Sequence, residues 1–516
     1  MLYPIGIQSF ETIRKEGYVY VDKTEHIWRM ASTGQCYFLS RPRRFGKSLL
    51  VSTMEAYFSG RKELFEGLKI ARLEKDWVAY PVLRLDLSGA SYTSAEVLSE
   101  KLSAFLSKYE RQFGIAPSGT VPSVRFESLV DAIYQKTGLP IVLLIDEYDK
   151  PILDNLPDDD AVETLRSALQ GFYGVIKSKN DYIKFAFLTG VTKLGKLSVF
   201  SSLNNLTDIS IDMENGDICG ITEEELRDYF SDSVAEMAAF NSLPVDACFA
   251  RLGKYYDGYR FHPRSAGVYN PFSLLLALRK KEFGEYWFET GTPGFLVRFI
   301  QQGDYLLEDI TSNGVPGAKL TGSNYEKPDA VTLMYQSGYL TIKGYDERYG
   351  IYFLGYPNQE VESGFLHSLS QYYLPIMETR GEFSVYRFIK DVESGDVESL
   401  MNRLTALFAS SDYRIQGNLE AAFQNTFATL FRLMGQQVTT ELHTSNGRID
   451  VVLESGSFVY IIELKRDKSP DAALEQIEQM GYDKPFLARG KKVFKIGANF
   501  TTKNRRLESW KMSESK

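Results

Sequence analysis

Three short groups of residues in this 516-residue chain carry side chains suited to phosphate and metal chemistry. Arg44, Phe45, Gly46, Lys47, Ser48 and Leu49 set a glycine, an ammonium and a hydroxyl in consecutive positions, between the apolar run Cys36 to Ser40 and a helical pattern that begins at Lys47. The first turn of a helix offers unpaired backbone N–H groups, so the loop before it can cradle a polyphosphate, with Lys47 on the β- and γ-oxygens and the Ser48 hydroxyl on Mg²⁺. Asp146 and Glu147 close the apolar run Ile141 to Ile145. Asp146 is expected to hold the Mg²⁺ through water, and Glu147 to orient or deprotonate the attacking water. Towards the other end, Asp450, Glu463 and Lys465 fall in two strand-like runs joined by Glu454-Ser-Gly-Ser457. With a period of two, Glu463 and Lys465 share a face, and a hairpin brings Asp450 beside them. Two close carboxylates repel unless a cation lies between them, so the pair suits Mg²⁺ or Mn²⁺, with Lys465 placing or activating a water.

Positioning these groups takes particular elements. A continuous rather than alternating apolar run marks a strand covered on both faces, as in a parallel α/β sheet. Asp146 and Glu147 then lie at the carboxyl end of that sheet, on the same edge as the loop 41–48. A Gly-Lys-Ser triplet alone is a weak signal in a chain of this length, but the acidic strand end about a hundred residues later strengthens it. Pro81 to Leu87 and Phe185 to Gly190 read as further core strands, and Ala95 to Phe113 and Ala161 to Lys177 as helices, which continues the β/α alternation. Thr189, at the end of one of these strands, is a candidate to contact a γ-phosphate or the attacking water, with a plain turn residue as the alternative reading.

The segments Tyr18 to Thr24, Arg41 to Ser48, Leu144 to Pro151, Thr189 to Val191 and Phe200 to Leu206 resemble the bacterial AAA-ATPase-like family across most of residues 1 to 270. The resemblance implies ATP as ligand and a P-loop sheet domain. The loop is also similar to the Gly-Pro-Arg-Arg-x-Gly-Lys-Thr loop of archaeal ATPases, with Arg41 in place of the first glycine. From Thr222 to about Arg279 the pattern is helical, and Tyr256 to Phe261 with Tyr269 to Ser273 resembles the same family's lid.

Residues 402 to 500 resemble the PD-(D/E)XK nuclease superfamily, carried by Gly447-Arg-Ile-Asp450, Glu463-Leu-Lys465, the helix with Glu420, and Gln476 with Gly481-Tyr482. What this implies is Asp450 and Glu463 as metal ligands, Lys465 as the catalytic lysine, Glu420 as an accessory acid and Gln476 as a helix residue facing the site. The expected fold class is α/β: an AAA-ATPase-like P-loop domain with a helical lid over 1–285, a middle region over 286–400, and a small α/β nuclease-like domain over 401–516. In the middle region Thr311 to Pro328 reads as a loop, and Leu333 to Ile342 with Tyr352 to Leu354 as the helix and hairpin of a winged-helix-like module.

Composition bounds the partners. The net charge of −8 argues against a general nucleic-acid coat, whereas residues 411 to 516 hold 16 Lys/Arg against 13 Asp/Glu, a net of +3 that mildly attracts a phosphate backbone. Nucleic acid, DNA first, is the expected partner; self-association into a homo-oligomer is compatible with the family, and no membrane is expected. Cys36, Cys219 and Cys248 form no metal-binding or disulfide pattern, and no secretory signal or long apolar segment is seen, which fits the cytoplasm. The reading is an ATPase fused to a metal-dependent nuclease. On the same residues, a nucleotide-dependent switch or a DNA-binding protein with little or no nuclease activity stays open.

Overall fold

The computed structural model describes residues 1–155, 158–193, 205–287, 314–320, 330–373, 385–410, 419–433, 436–444, 447–501 and 506–515. They fall into two compact units: one holds the described residues of Met1–Gly291 and Gly314–Val361, the other those of Glu362–Lys516.

The first unit is built on a five-stranded parallel sheet of β1 (Cys36–Ser40), β2 (Val82–Asp86), β3 (Ile141–Asp146), β4 (Ile183–Gly190) and β5 (Thr207–Asp208), in the order β2-β3-β4-β1-β5. Every residue of β1 and β3 is buried, as their continuous apolar runs require. Alternate residues then divide between the two faces. Ile141, Leu143 and Ile145 join Leu83 and Leu85 in a core shared with Leu102 of the helix Ala95–Phe113, Phe126 of Pro122–Thr137 and Phe172 of Asp159–Ser178. The opposite face receives helix α1 (Lys47–Phe58), whose Phe58 ring lies 4.8 Å from that of Phe185. Asp146 alternates with Ile145, so it comes out on the α1 face.

After the sheet come three helices, α2 (Glu223–Phe240), α3 (Val245–Tyr256) and α4 (Pro271–Lys280), around a core of Leu226, Phe230, Leu252 and Leu274. The acidic start expected at Thr222 is a capping box: the Thr222 hydroxyl accepts from Glu225 N at 3.1 Å, and the Glu225 carboxylate accepts from Thr222 N at 2.9 Å. Further on, helix α5 (Ala330–Ser337) precedes the antiparallel hairpin β7 (Thr341–Asp346) and β8 (Ile351–Gly355), the helix and hairpin expected from the sequence. Within the stretch expected as a loop, the described residues 314–320 hold instead a short strand, β6 (Val315–Pro316), paired with β8, and a helical turn. The pairing arises because β8 leaves an edge to which Val315, itself buried, can add. Phe200 to Asn204, part of the family-like pattern, lies outside the described residues.

The second unit carries a mixed five-stranded sheet in the order β13-β12-β11-β10-β9. Its strands are β9 (Gln437–Thr444), β10 (Gly447–Ser455), β11 (Phe458–Arg466), β12 (Lys492–Thr501) and β13 (Arg506–Glu514). β10 and β11 form the expected antiparallel hairpin, turning at Gly456 in the left-handed region (φ 50°). β11 and β12 are parallel, joined through helix α7 (Pro470–Met480). Helix α6 (Leu419–Leu433) packs on β9 and β10.

Candidate functional site

In the first unit the loop 41–46 runs from the end of β1 into α1. Gly46 occupies the cap position in the left-handed region (φ 91°) with no side chain closing the helix start, which leaves the first-turn N–H groups for a ligand. Lys47, 4% exposed, donates through Nζ to the carbonyls of Arg41 at 3.0 Å and Pro42 at 3.1 Å. Phe45 is buried edge-on against Tyr259 and Phe261, whereas Arg43 and Arg44 face solvent, the Arg44 guanidinium 4.9 Å from the Phe272 ring.

Arg41 does not enter the phosphate cradle. Its guanidinium is buried behind the loop, donating to Ser40 O at 2.9 Å, Ser210 O at 2.8 Å and Asn215 O at 2.8 Å, with the Phe261 ring 3.9 Å away.

Ser48, in the first turn of α1, and Asp146, at the end of β3, stand on the face shared by α1 and the sheet. Burial pushes the Asp146 carboxyl up, against the Ser48 hydroxyl and the Lys47 charge, while Glu147 and Asp86 add to the rise. Asp146 Oδ1 is buried with no hydrogen-bond partner among the described residues. An orphaned carboxylate oxygen beside a serine hydroxyl is a donor set that fits Mg²⁺. Glu147 stands in the left-handed region (φ 54°), unusual for a side chain of its size. The next residues hold that bend: Tyr148 N donates to Thr189 O at 3.0 Å, and the buried Asp149 carboxylate accepts from Thr192 N at 2.6 Å and Thr192 Oγ1 at 2.8 Å. Thr189 is fully buried and its hydroxyl donates to Leu39 O at 2.8 Å, so that hydrogen ties β4 to β1.

In the second unit, extending the β10–β11 register by one step from Val451↔Ile462 sets Asp450 opposite Glu463. Asp450 Oδ2 accepts from Leu464 N at 2.7 Å, which holds the carboxylate against β11. Glu463 Oε1 accepts from Lys465 Nζ at 2.9 Å and from Gln476 Nε2 at 2.5 Å, and Lys465 Nζ donates to Gln476 Oε1 at 2.6 Å. Helix and strand therefore share one closed three-member network, with Glu463 2% exposed. Gly497 of β12, paired with Glu463, lets α7 approach: a Cβ there would lie 2.2 Å from Pro470 O. The set of carboxylate oxygens suits a hard divalent cation. Among the described residues no group of three or more His, Cys, Asp and Glu side chains gathers as a metal cage. Glu420 lies in the first turn of α6, and its side chain is outside the described residues.

Residues 4–200 match the family model described as predicted AAA-ATPase, and residues 418–510 match that of the PD-(D/E)XK nuclease superfamily. A protein of Azotobacter chroococcum mcd 1, called an uncharacterized protein in the vnfD 5'region, is 36% identical over 518 residues, spanning 97% of each chain. The chain belongs to the AAA-ATPase-like family and carries a C-terminal PD-(D/E)XK domain.

This AAA-ATPase-like chain also uses residues that the motifs did not announce. Asp86, the register partner of Asp146, was legible only as one residue of the strand-like run Pro81 to Leu87. Glu441 of β9 falls opposite Asp450, between the pairs Ile449↔Leu442 and Val451↔Thr440, but φ 56° breaks the pairing there, and its carboxylate accepts from Gln424 of α6 and pairs with Arg448. No sequence periodicity signals that bend. Trp287 and Glu360, near the phosphate loop, belong to no motif at all. Among the described residues no helix is long and apolar enough to cross a membrane, and the three cysteines are buried and outside any disulfide.

Proposed function

We propose that the chain binds and hydrolyses ATP at residues 44–49, Asp146 and Glu147, and cuts nucleic-acid phosphodiesters, DNA first, at Asp450, Glu463 and Lys465. The observation that carries the nuclease half is the Glu463–Lys465–Gln476 network beside Asp450. Asp450 and Glu463 would hold Mg²⁺ or Mn²⁺, which would supply positive charge to the phosphodiester oxygens. Lys465, held by Glu463 and Gln476, positions the attacking water and offsets the negative charge that develops. Glu420 is assigned the accessory acid role.

In the ATPase half, Lys47 exchanges its two carbonyl partners for phosphate oxygens, Ser48 and Asp146 hold Mg²⁺, and Glu147 orients the water. Thr189, whose hydroxyl ties β4 to β1 through Leu39 O, lies at the strand end beside this site and is assigned the contact to the γ-phosphate or the attacking water. The three domains over 1–285, 286–400 and 401–516 are read as motor or switch, connector and nuclease, in a cytoplasmic protein whose buried thiols suit a reducing compartment.

Cleavage of double- and single-stranded DNA with Mg²⁺ or Mn²⁺, with and without ATP, tests this in wild type, Glu463→Ala and Lys47→Ala. Loss of cutting in Glu463→Ala, with loss of only the ATP response in Lys47→Ala, is the expected outcome. A wild type that binds ATP and cuts neither DNA nor RNA overturns the nuclease half and leaves a nucleotide switch.

A further inference from the structure

Trp287 lies far in sequence from the phosphate loop, yet its indole Nε1 donates to Arg43 O at 3.0 Å. The backbone N–H of the same residue donates to Glu360 Oε1 at 2.7 Å, and Ser273 Oγ donates to that oxygen at 2.9 Å. Glu360 is fully buried, and its second oxygen, Oε2, has no hydrogen-bond partner among the described residues. The Tyr339 ring stands 5.2 Å from that of Trp287, and the turn before it is pressed on the loop: Gly338 has φ 93°, and a Cβ there would lie 2.6 Å from Pro42 Cβ.

Each contact bears on the strand-to-helix loop that would hold the phosphates. The carbonyl of Arg43 has to point away from the anion so that the neighbouring N–H groups can point towards it. A buried indole donor on that carbonyl fixes its direction. Trp287 is itself fixed at its main chain by Glu360, two residues into a helix that starts at Gln359. Keeping a carboxylate fully buried is costly unless hydrogen bonds offset it, and here they are spent on Trp287 and Ser273.

We propose that Trp287 is a positioning residue of the nucleotide site, its indole orienting the Arg43 peptide of the phosphate loop and its main chain anchored by Glu360. The inference rests on the reading of 44–49 as the nucleotide site. Occupation of the loop then changes the hydrogen bond on the indole, so Trp287 emission responds to nucleotide. Loss of the indole donor loosens the loop and weakens binding about fivefold, the effect of one neutral hydrogen bond.

Two readouts on the full chain test it: affinity for a fluorescent ATP analogue with Mg²⁺, and the ATP-induced change in tryptophan emission. Trp287→Phe keeps an aromatic ring against Tyr339, and is expected to weaken binding about fivefold and remove the emission change. Glu360→Ala leaves the indole in place, and is expected to shift Trp287 emission in the nucleotide-free protein and weaken ATP to a similar degree. This second variant carries the test if the first fails to fold. Unchanged affinity in a folded Trp287→Phe, or an emission change that survives it, overturns the proposal alone. A wild type that binds no nucleotide overturns the site reading together with the proposal.

Discussion

The guanidinium of Arg84 lies 2.8 Å from the Glu55 carboxylate, so the face of β2 that bears Arg84 looks at helix α1. Asp86, two residues on, shares that face with its register partner Asp146. A second carboxylate is thereby brought near the Ser48–Asp146 pair. Asp86→Asn is expected to raise the Mg²⁺ concentration needed for tight ATP binding on the order of tenfold. Metal-free nucleotide affinity should stay unchanged. A Mg²⁺ titration of ATP binding measures both, and an unaltered Mg²⁺ midpoint would count against a role for Asp86.

Lys47 is expected to contribute most of the affinity for the β- and γ-phosphates. A charged hydrogen bond contributes about 1.5–3 kcal/mol, so Lys47→Ala should weaken ATP roughly tenfold to a hundredfold. The rise in melting temperature that ATP gives wild type should largely vanish at the same ligand concentration. Thermal melts with and without ATP check this.

The nuclease network predicts coupled losses. Lys465→Ala should lower single-turnover cleavage by about a hundredfold or more, the usual scale for a positioned proton-transfer or charge-stabilising group. Gln476→Ala should cost about tenfold, since it orients Lys465 and Glu463 rather than touching substrate. The double variant should cost little more than Lys465→Ala alone. Additive losses would mean that Gln476 acts elsewhere.

Burial pushes the Glu360 carboxyl up to about 8, against the hydrogen bonds from Trp287 and Ser273 and with Glu285 adding to the rise. A carboxyl whose folded value lies above its unfolded one binds its proton more tightly in the native state. Native stability contributed by that proton is complete below the unfolded value and declines as pH climbs towards 8. Glu360→Gln, which cannot ionise, is therefore expected to lose less stability than wild type between pH 5 and 8. The melting-temperature difference between the two should grow in the variant's favour as pH rises, by about 2–4 °C for each kcal/mol. A constant difference across that range would refute the assignment.

Gly497→Val should be poorly tolerated. A Cβ there meets the Pro470 carbonyl, and overpacking of this kind costs about 1–3 kcal/mol. Because α7 must lift to make room, Gln476 loses Glu463, and cleavage should fall further than stability does. Comparing melting temperature with cleavage rate separates the two effects.

What could be read from sequence and what could not divide along physical lines. Strands β1, β3 and β4 and helix α1 were legible because burial on both faces leaves uninterrupted apolar runs, and the β10–β11 hairpin because alternation and a Gly-containing turn coincide. Ser48, Asp146, Glu463 and Lys465 are met in places that local pattern indicates. Asp86, Glu441, Trp287 and Glu360 were not legible. Their significance comes from contacts between segments distant in sequence, or from a single residue at positive φ, and neither leaves a periodic trace. The strand at Val315 was hidden by its Gly- and Pro-rich setting, since only the edge of β8 gives it a partner.

Arg41 carries one last consequence. Its charge is held by three carbonyl dipoles and the face of an aromatic ring rather than by a carboxylate, and it lies out of reach of mobile ions. Dissolved salt therefore has little to screen at the base of the phosphate loop, whereas exposed pairs such as Arg61 with Glu11 and Glu63 weaken as ionic strength rises. The loop should keep its shape in brine that loosens the protein's outer charge pairs.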